Sequence, residues 1–185
     1  MSIDPKRRSN PPVPPAASAL TWRTEMTVAD LEGIRVLTRE AGNFTTEEVD
    51  LAVELVDARL QFGAASGYQF LLAEQSDQVL AGYACFGPIS ATQQRYDLYW
   101  IAVAPAWQRR RLGSDLLHRV EQTMWDQGAQ RIYIETSTLD SYSPAREFYV
   151  RSGYIDPIVV PDFYRDGDGK LIMVKIRPLR TTSGC

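Results

Sequence analysis

The chain is poor in the residues that build metal centres and disulfide frameworks. A single histidine, His118, stands in 185 residues, and the two cysteines, Cys85 and Cys185, lie far apart. A multi-histidine metal site is therefore excluded, and a Ser-His-Asp triad would have to use His118. Two such distant cysteines make neither a disulfide framework nor a metal cluster. The expected setting is reducing and cytoplasmic, with no metal. No apolar run approaches the roughly 20 residues that span a bilayer. Prolines break up the stretch after Lys6, Arg7 and Arg8, so no secretory signal is expected. Neither charge dominates: 20 basic and 23 acidic side chains leave a formal net charge of -3. That excludes a generic electrostatic hold on nucleic acid by the whole surface.

What is present is an ordinary globular composition, 44% hydrophobic, in a chain long enough for one domain with a core. Residues 1–20 are rich in Pro, Ser and Ala, and are expected to form a disordered tail. The folded domain is expected over 21–178, with a flexible tail over 179–185.

Within the domain the pattern predicts mixed α and β structure. A first strand is expected near Trp22–Met26. Leu31, Ile34 and Leu37 have helical spacing. Thr45 with Glu48 fits a capping box, opening a helix whose Val49, Ala52, Val53, Val56 and Leu60 share one face and which Gly63 and Gly67 end. Strand-like runs follow at Tyr68–Glu74, Val79–Phe86 and Tyr96–Val103, the first two read as a hairpin. Leu116, Leu117, Val120 and Met124 mark a helix ending near Gly128, with His118 on its exposed side. Arg131–Thr136 is a further strand. The resulting βαβ unit requires its two strands to lie parallel. A short helix over Pro144–Ser152 and strands at Ile155–Val160 and Leu171–Ile176 complete the chain.

Two segments carry chemistry. The first runs Val103-Ala-Pro-Ala-Trp-Gln108-Arg-Arg-Arg-Leu-Gly113-Ser114 and joins a strand to a helix inside the βαβ unit. Such a junction presents unpaired N–H groups and the positive end of a helix dipole to an anion. Three arginines there oppose the dipole, which favours a bound polyanion; a solvated basic turn has the same spacing. No Lys-Ser/Thr follows, as a phosphate-binding P-loop would require, so a nucleotide hydrolase is disfavoured. The second segment runs Tyr142-Ser-Pro-Ala145-Arg-Glu-Phe148-Tyr149-Val-Arg-Ser-Gly153-Tyr154. A phenol such as Tyr149 holds its proton at neutral pH and can give it to a leaving group; a packed core tyrosine looks the same in sequence.

Together the two segments resemble the GNAT acetyltransferase superfamily. Its phosphate motif, Gln/Arg-x-x-Gly-x-Gly/Ala, is matched by Gln108 to Gly113. Its second motif, Asn-x-x-Ala-x-x-Phe/Leu-Tyr-x-x-x-Gly-Phe/Tyr, is matched from Tyr142 to Tyr154. The resemblance covers roughly 21–177. It implies an α/β (α+β) fold: a mixed, roughly seven-stranded sheet, splayed between its fourth and fifth strands and flanked by about four helices. It implies acetyl-CoA as acyl donor, lying in the splay. The backbone of Ile101, Ala102 and Val103 would meet the pantetheine arm, with the Val103 N–H on the thioester carbonyl. Gln108, Arg109, Arg110, Arg111, Leu112, Gly113 and Ser114 would hold the phosphates, and Tyr142 and Ala145 would lie along the cofactor. Tyr149 matches the family's usual general acid, and Asp97 stands where some members carry a glutamate base.

Two positions depart from the pattern. Arg111 replaces the first motif glycine, so either its backbone is ordinary right-handed or phosphate binding is altered. Tyr142 replaces the usual asparagine.

The resemblance further implies that the acidic, turn-rich segment Pro161–Gly169 is the loop that walls the acceptor site, with Asp162, Tyr164 and Asp168 facing a cationic amine. A solvated Asp-Gly turn is the plainer reading. The implied activity is transfer of acetyl to a primary amine of a small molecule, by direct attack in a ternary complex. Alternatives are a peptide or protein amine as acceptor, and a GNAT-fold module that binds acyl-CoA without turnover. Neither nucleic acid nor membrane is an expected partner, and a homodimer is one assembly open to it.

Overall fold

The computed structural model describes residues 20–42, 44–76 and 78–178. The two expected tails lie outside these residues, Leu20 apart. The elements run β1 (Thr21–Arg23), α1 (Ala29–Glu40), α2 (Thr46–Phe62), β2 (Gln69–Glu74), β3 (Leu80–Pro88), β4 (Arg95–Val103), α3 (Leu112–Asp126), β5 (Arg131–Ser137), α4 (Ser143–Arg151), β6 (Ile155–Arg165) and β7 (Asp168–Ile176). One mixed seven-stranded sheet results, in the order β1-β2-β3-β4-β5-β7-β6.

β1 is shorter than the expected strand and ends at Arg23. There the chain turns to start α1. Thr27 donates to the Asp30 carboxylate from its N–H at 2.6 Å and from its hydroxyl at 3.0 Å. Arg23 pairs with the same carboxylate and donates to Glu74 at 2.7 Å. The bonds to Asp30 outweigh its burial and hold its carboxyl below the usual range. α2 opens on the expected capping box: Thr45 Oγ1 accepts from the Glu48 N–H, and Glu48 accepts from the Thr45 N–H. Such a cap is worth about 1 kcal/mol.

Two apolar clusters sandwich the sheet. On one face α1 and α2 bury Ile34, Leu37, Ala52 and Val56 against Phe70, Leu72, Tyr83 and Cys85. A buried hydroxyl pair, Thr38 with Tyr83 at 2.7 Å, ties α1 to β3. On the other face α3 buries Leu112, Leu116, Leu117, Val120 and Met124 against Leu71, Ala84, Leu98, Ile132 and Ile134. Tyr149 and Tyr154 extend that cluster under α4. Gly87 has no alternative in this packing, because a Cβ there would stand 2.0 Å from the Gly67 carbonyl oxygen.

β4 and β5 pair in parallel, as the βαβ reading requires, but only from Arg95–Leu98 against Arg131–Ile134. Beyond Leu98 the two strands part. On the other edge of β4, Cys85 faces Trp100 while Phe86 faces Leu98, so Tyr99 is an extra, bulged residue. A bulge bends and twists its strand, and this one sits where the splay begins.

The segment expected as a loop over Pro161–Gly169 is largely strand. β6 runs on to Arg165 and β7 starts at Asp168. The turn between them is Asp166-Gly167, with Gly167 at φ 78. Asp-Gly flanked by β-forming residues is a two-residue hairpin signal. In the sequence that signal is masked by the prolines and acidic side chains around it, which read as loop.

Candidate active site

Beyond Leu98 the β5 edge of β4 has no strand partner among the described residues. The Ala104 N–H donates to the Ala81 carbonyl at 2.9 Å. Backbone groups alternate in direction along a strand. Ala102, opposite Tyr83, therefore also bonds toward β3, while Ile101 and Val103 turn their N–H and C=O groups into the gap. The Val103 carbonyl accepts from Gln108 Nε2 at 3.1 Å, so Gln108 ties the following loop to the end of β4.

That loop opens with a 3-10 turn, Pro105–Trp107, anchored by the buried Trp107. Arg109 and Arg111 then both take left-handed backbone, at φ 60 and φ 68. Of the two readings open at Arg111, the ordinary right-handed one is excluded: the arginine adopts the conformation that a glycine would reach without strain. α3 follows with no side-chain cap, and its first helical bond runs from the Asp115 N–H to the Arg111 carbonyl at 2.9 Å. The N–H groups of Leu112, Gly113 and Ser114 precede that ladder and point out of the helix end. Arg109, Arg110 and Arg111 are exposed around it.

The second segment meets the first at Gly113. A Cβ there would lie 3.8 Å from Val103 Cγ2 and 3.9 Å from the Phe148 ring. Gly113 thus lets the start of α3 sit between the end of β4 and α4. Pro144 stands in the first turn of α4, as expected. Arg146, which no motif marks in the sequence, pins α4 to the end of β5 by donating to the Ser137 and Leu139 carbonyls at 2.8 and 2.7 Å. Ala145 and Phe148 pack on the α3-side cluster. Tyr149 is 9% exposed and packs tilted against Phe148 and edge-on against Tyr154, with ring centroids 5.3 and 5.6 Å away. Among the described residues nothing bonds its hydroxyl. Burial raises its pKa, so the phenol keeps its proton at every working pH.

Leu98 packs into the α3-side cluster together with Tyr149, so Asp97, one residue before it on β4, faces the other side of the sheet. Burial first, and then the charge of Glu135 on β5, push its pKa up to about 6, against the opposing pull of Lys170 on β7. It is paired in register with Tyr133. Lys170 bonds Glu135 at 2.6 Å. Neither Glu135 nor Lys170 stands out in the sequence, although Glu135 occupies a polar position in the alternating run Ile132-Tyr-Ile-Glu135.

The remaining expected residues make contacts within the chain. The Tyr142 hydroxyl donates to the Glu48 carboxylate at 2.8 Å, linking the start of α4 to the capping box of α2. Asp162, itself at φ 50, accepts from the Gly167 N–H at 2.7 Å and closes the β6–β7 turn. Asp168 is buried, accepts from the Ser137 hydroxyl at 2.5 Å and faces Arg165 at 3.5 Å. Tyr164 is half exposed and packs edge-on against Phe163. Trp100 is half-buried and stacks on Phe44, and His118 is exposed as expected. The described residues hold no group of three or more His, Cys, Asp or Glu side chains placed for a metal. None of their helices is long and apolar enough to cross a membrane.

Comparison with known proteins agrees with this architecture. The chain has no match among curated protein sequences. A solved structure from Desulfovibrio desulfuricans, assigned to the acetyltransferases of the GNAT family, is 43% identical. It superposes with a TM-score of 0.82 over 85% of this chain and 99% of the other. The ribosomal-protein-S18-alanine N-acetyltransferase of Escherichia coli shares the fold at 18% identity and TM-score 0.67, over 90% of this chain and 99% of its own. So does the PaiA N-acetyltransferase of Thermoplasma acidophilum, solved with coenzyme A, at 21% identity and TM-score 0.64, over 85% and 99%. The model of the Acetyltransferase (GNAT) family matches residues 33–154. The chain belongs to the GNAT family and is an acyltransferase.

Proposed function

We propose that the protein transfers an acetyl group from acetyl-CoA to a primary amine of a small molecule, by direct attack in a ternary complex. The observation that carries this reading is the meeting of both segments at Gly113. At that glycine the start of α3 lies against Val103 at the end of β4 and against Phe148, the neighbour of Tyr149 on α4. The N–H groups of Arg109–Ser114 suit a pyrophosphate, and the exposed arginines suit further phosphate charge. That PaiA N-acetyltransferase was solved with coenzyme A supports the donor.

In this reading acetyl-CoA enters from the α3 and α4 face, and the acceptor from the Asp97 face. The acceptor amine must lose its proton before it can attack; Asp97, with its carboxyl near 6, is ionised at neutral pH and can take that proton through water. The carbon–nitrogen bond forms as the carbonyl oxygen gains charge, which the Val103 N–H stabilises. The carbon–sulfur bond breaks, Tyr149 protonates the departing thiolate, and the proton that the acylated nitrogen still carries is lost through water and restores the phenol. Ile101 offers the second free edge group of β4, whereas Ala102 serves the sheet.

Phe163 and Tyr164 on the β6–β7 hairpin favour a second reading, a peptide or protein amine as acceptor; the relative from Escherichia coli is named for an alanine of a ribosomal protein. Thiol release from acetyl-CoA, followed with a panel of small amines and of short peptides, tests both. No release with any acceptor in the panel, together with a melting temperature unmoved by millimolar acetyl-CoA, would remove the catalytic reading.

A further inference from the structure

We propose that Tyr142 is a positioning residue for the acyl transfer: its hydroxyl ties the start of α2 to the β5 side of the splay and so fixes the acceptor end of the gap. This rests on the reading above that acyl transfer takes place in that gap. Tyr142 donates to the two carboxylate oxygens of Glu48, at 2.9 and 2.8 Å. The same carboxylate accepts from the Thr45 N–H at 2.7 Å, inside the capping box. One residue before the cap, Phe44 stacks on Trp100 with ring centroids 5.5 Å apart. Trp100 lies on β4 beyond Leu98, where β4 no longer pairs with β5. Tyr142 belongs to the other side. It ends the 3-10 turn Asp140–Tyr142 just after β5, and Arg146 bonds that connection at the Ser137 and Leu139 carbonyls. Residues 44–48 therefore join the two strands that part.

The tie lies on the face that the acceptor is given above. Phe44 and Trp100 pack on the cluster of α1 and α2, and Asp97 faces the same side of the sheet. Tyr164 on β6 feels the same carboxylate: burial first, and then the charges of Glu135, Glu48 and Asp168, raise its phenol. On the opposite face α3 shares one cluster with Leu98 of β4 and Ile132 of β5, so a helix already braces the two strands there. On the acceptor face, among the described residues, no other side-chain hydrogen bond or ion pair joins a residue before Ala104 to one after Gly128. The asparagine of the family motif ends well short of where the phenol hydroxyl lies, so the tie depends on the departure from that motif. One half-exposed hydrogen bond adds little to global stability. Its effect is local: it sets where the start of α2 stands relative to β5. The groups given to the donor, the free edge of β4 and the N–H groups at the start of α3, are on elements that Tyr142 and Glu48 do not bond.

The test is steady-state kinetics in both substrates on the full chain, using the amine that gives the fastest thiol release, beside calorimetric titration of coenzyme A and amide hydrogen exchange. Tyr142→Phe keeps the ring and removes the bond. KM for the amine should rise about five- to tenfold, the fold-change that one net hydrogen bond carries. At saturating amine kcat should hold, as should KM for acetyl-CoA and the affinity for coenzyme A. Exchange at the Glu48 and Val49 amides, in the first turn of α2, should quicken by a similar factor. Glu48→Gln retains a capping box and an oxygen for the phenol, and should keep the wild-type KM. An unmoved amine KM in Tyr142→Phe overturns the proposal. With weakened coenzyme A binding, that result makes Tyr142 a cofactor contact; with a raised KM in Glu48→Gln, it puts the carboxylate's charge on the amine itself. If the wild type releases no thiol from acetyl-CoA with any amine, acyl transfer and the positioning role fall together, and the exchange rates alone report whether Tyr142 holds α2.

Discussion

Replacing Arg111 by glycine should make the protein more stable and weaken its hold on coenzyme A. Arg111 sits at φ 68, ψ -4, immediately before α3. A residue with a Cβ costs about 1–2 kcal/mol in that region. Glycine avoids this but loses about 0.5–1 kcal/mol more backbone entropy on folding. The net gain is about 0.5–1 kcal/mol, a rise in Tm of about 1–4 °C for a domain of this size. The arginine side chain is exposed, so little packing is lost with it. Arg111→Ala is the control, since it removes the same charge and keeps the strain. Thermal melts and calorimetric titration with coenzyme A should be run on all three proteins. Both variants should bind coenzyme A more weakly than wild type, by up to about tenfold, or 1.4 kcal/mol. Only Arg111→Gly should melt higher. A glycine variant that melts at or below the alanine variant would refute the strain reasoning. Unchanged coenzyme A affinity in both would refute the phosphate role of the side chain.

Tyr149→Phe keeps the ring stacking and removes one proton; kcat should fall by roughly 10²-fold or more while acetyl-CoA affinity holds, and a wild-type rate across the pH range would return Tyr149 to a packing role. Asp97→Asn should lose activity that partly recovers at high pH, where more of the amine is already neutral. The same variant should gain stability relative to wild type above pH 6. Because the folded carboxyl titrates higher than the unfolded one, the folded state binds more protons between about 4 and 6, and wild-type stability falls as pH rises through that window. Equal denaturation midpoints at pH 5 and pH 8 would contradict the shift. Gly87→Ala must move the backbone at Gly67, so a destabilisation of about 1–3 kcal/mol or more is expected in a urea melt; a neutral outcome would mean that this contact yields easily.

Local rules made much of the chain legible. The capping box at Thr45 and Glu48, the apolar stripes of α2 and α3 and the Pro144 and Gly153 ends of α4 all depend on residues within a turn or two of one another. Such short-range signals survive in a single sequence. The two motif segments also identified the family, because their glycines and their tyrosine stand at set spacings. Tertiary structure decided the rest. Whether Arg111 is left-handed depends on how Trp107, Gln108 and Leu112 anchor the loop to β4 and the core, which no propensity scale records. The meeting of Val103, Gly113 and Phe148 joins three elements. Tyr142 and Glu48 bond across 94 residues, a contact that no local signal marks. The ionisation of Asp97 depends first on its burial and then on the charges of Glu135 and Lys170, which belong to other strands. Pairing partners are set by the fold as a whole, and a side chain's ionisation follows the neighbours that pairing supplies.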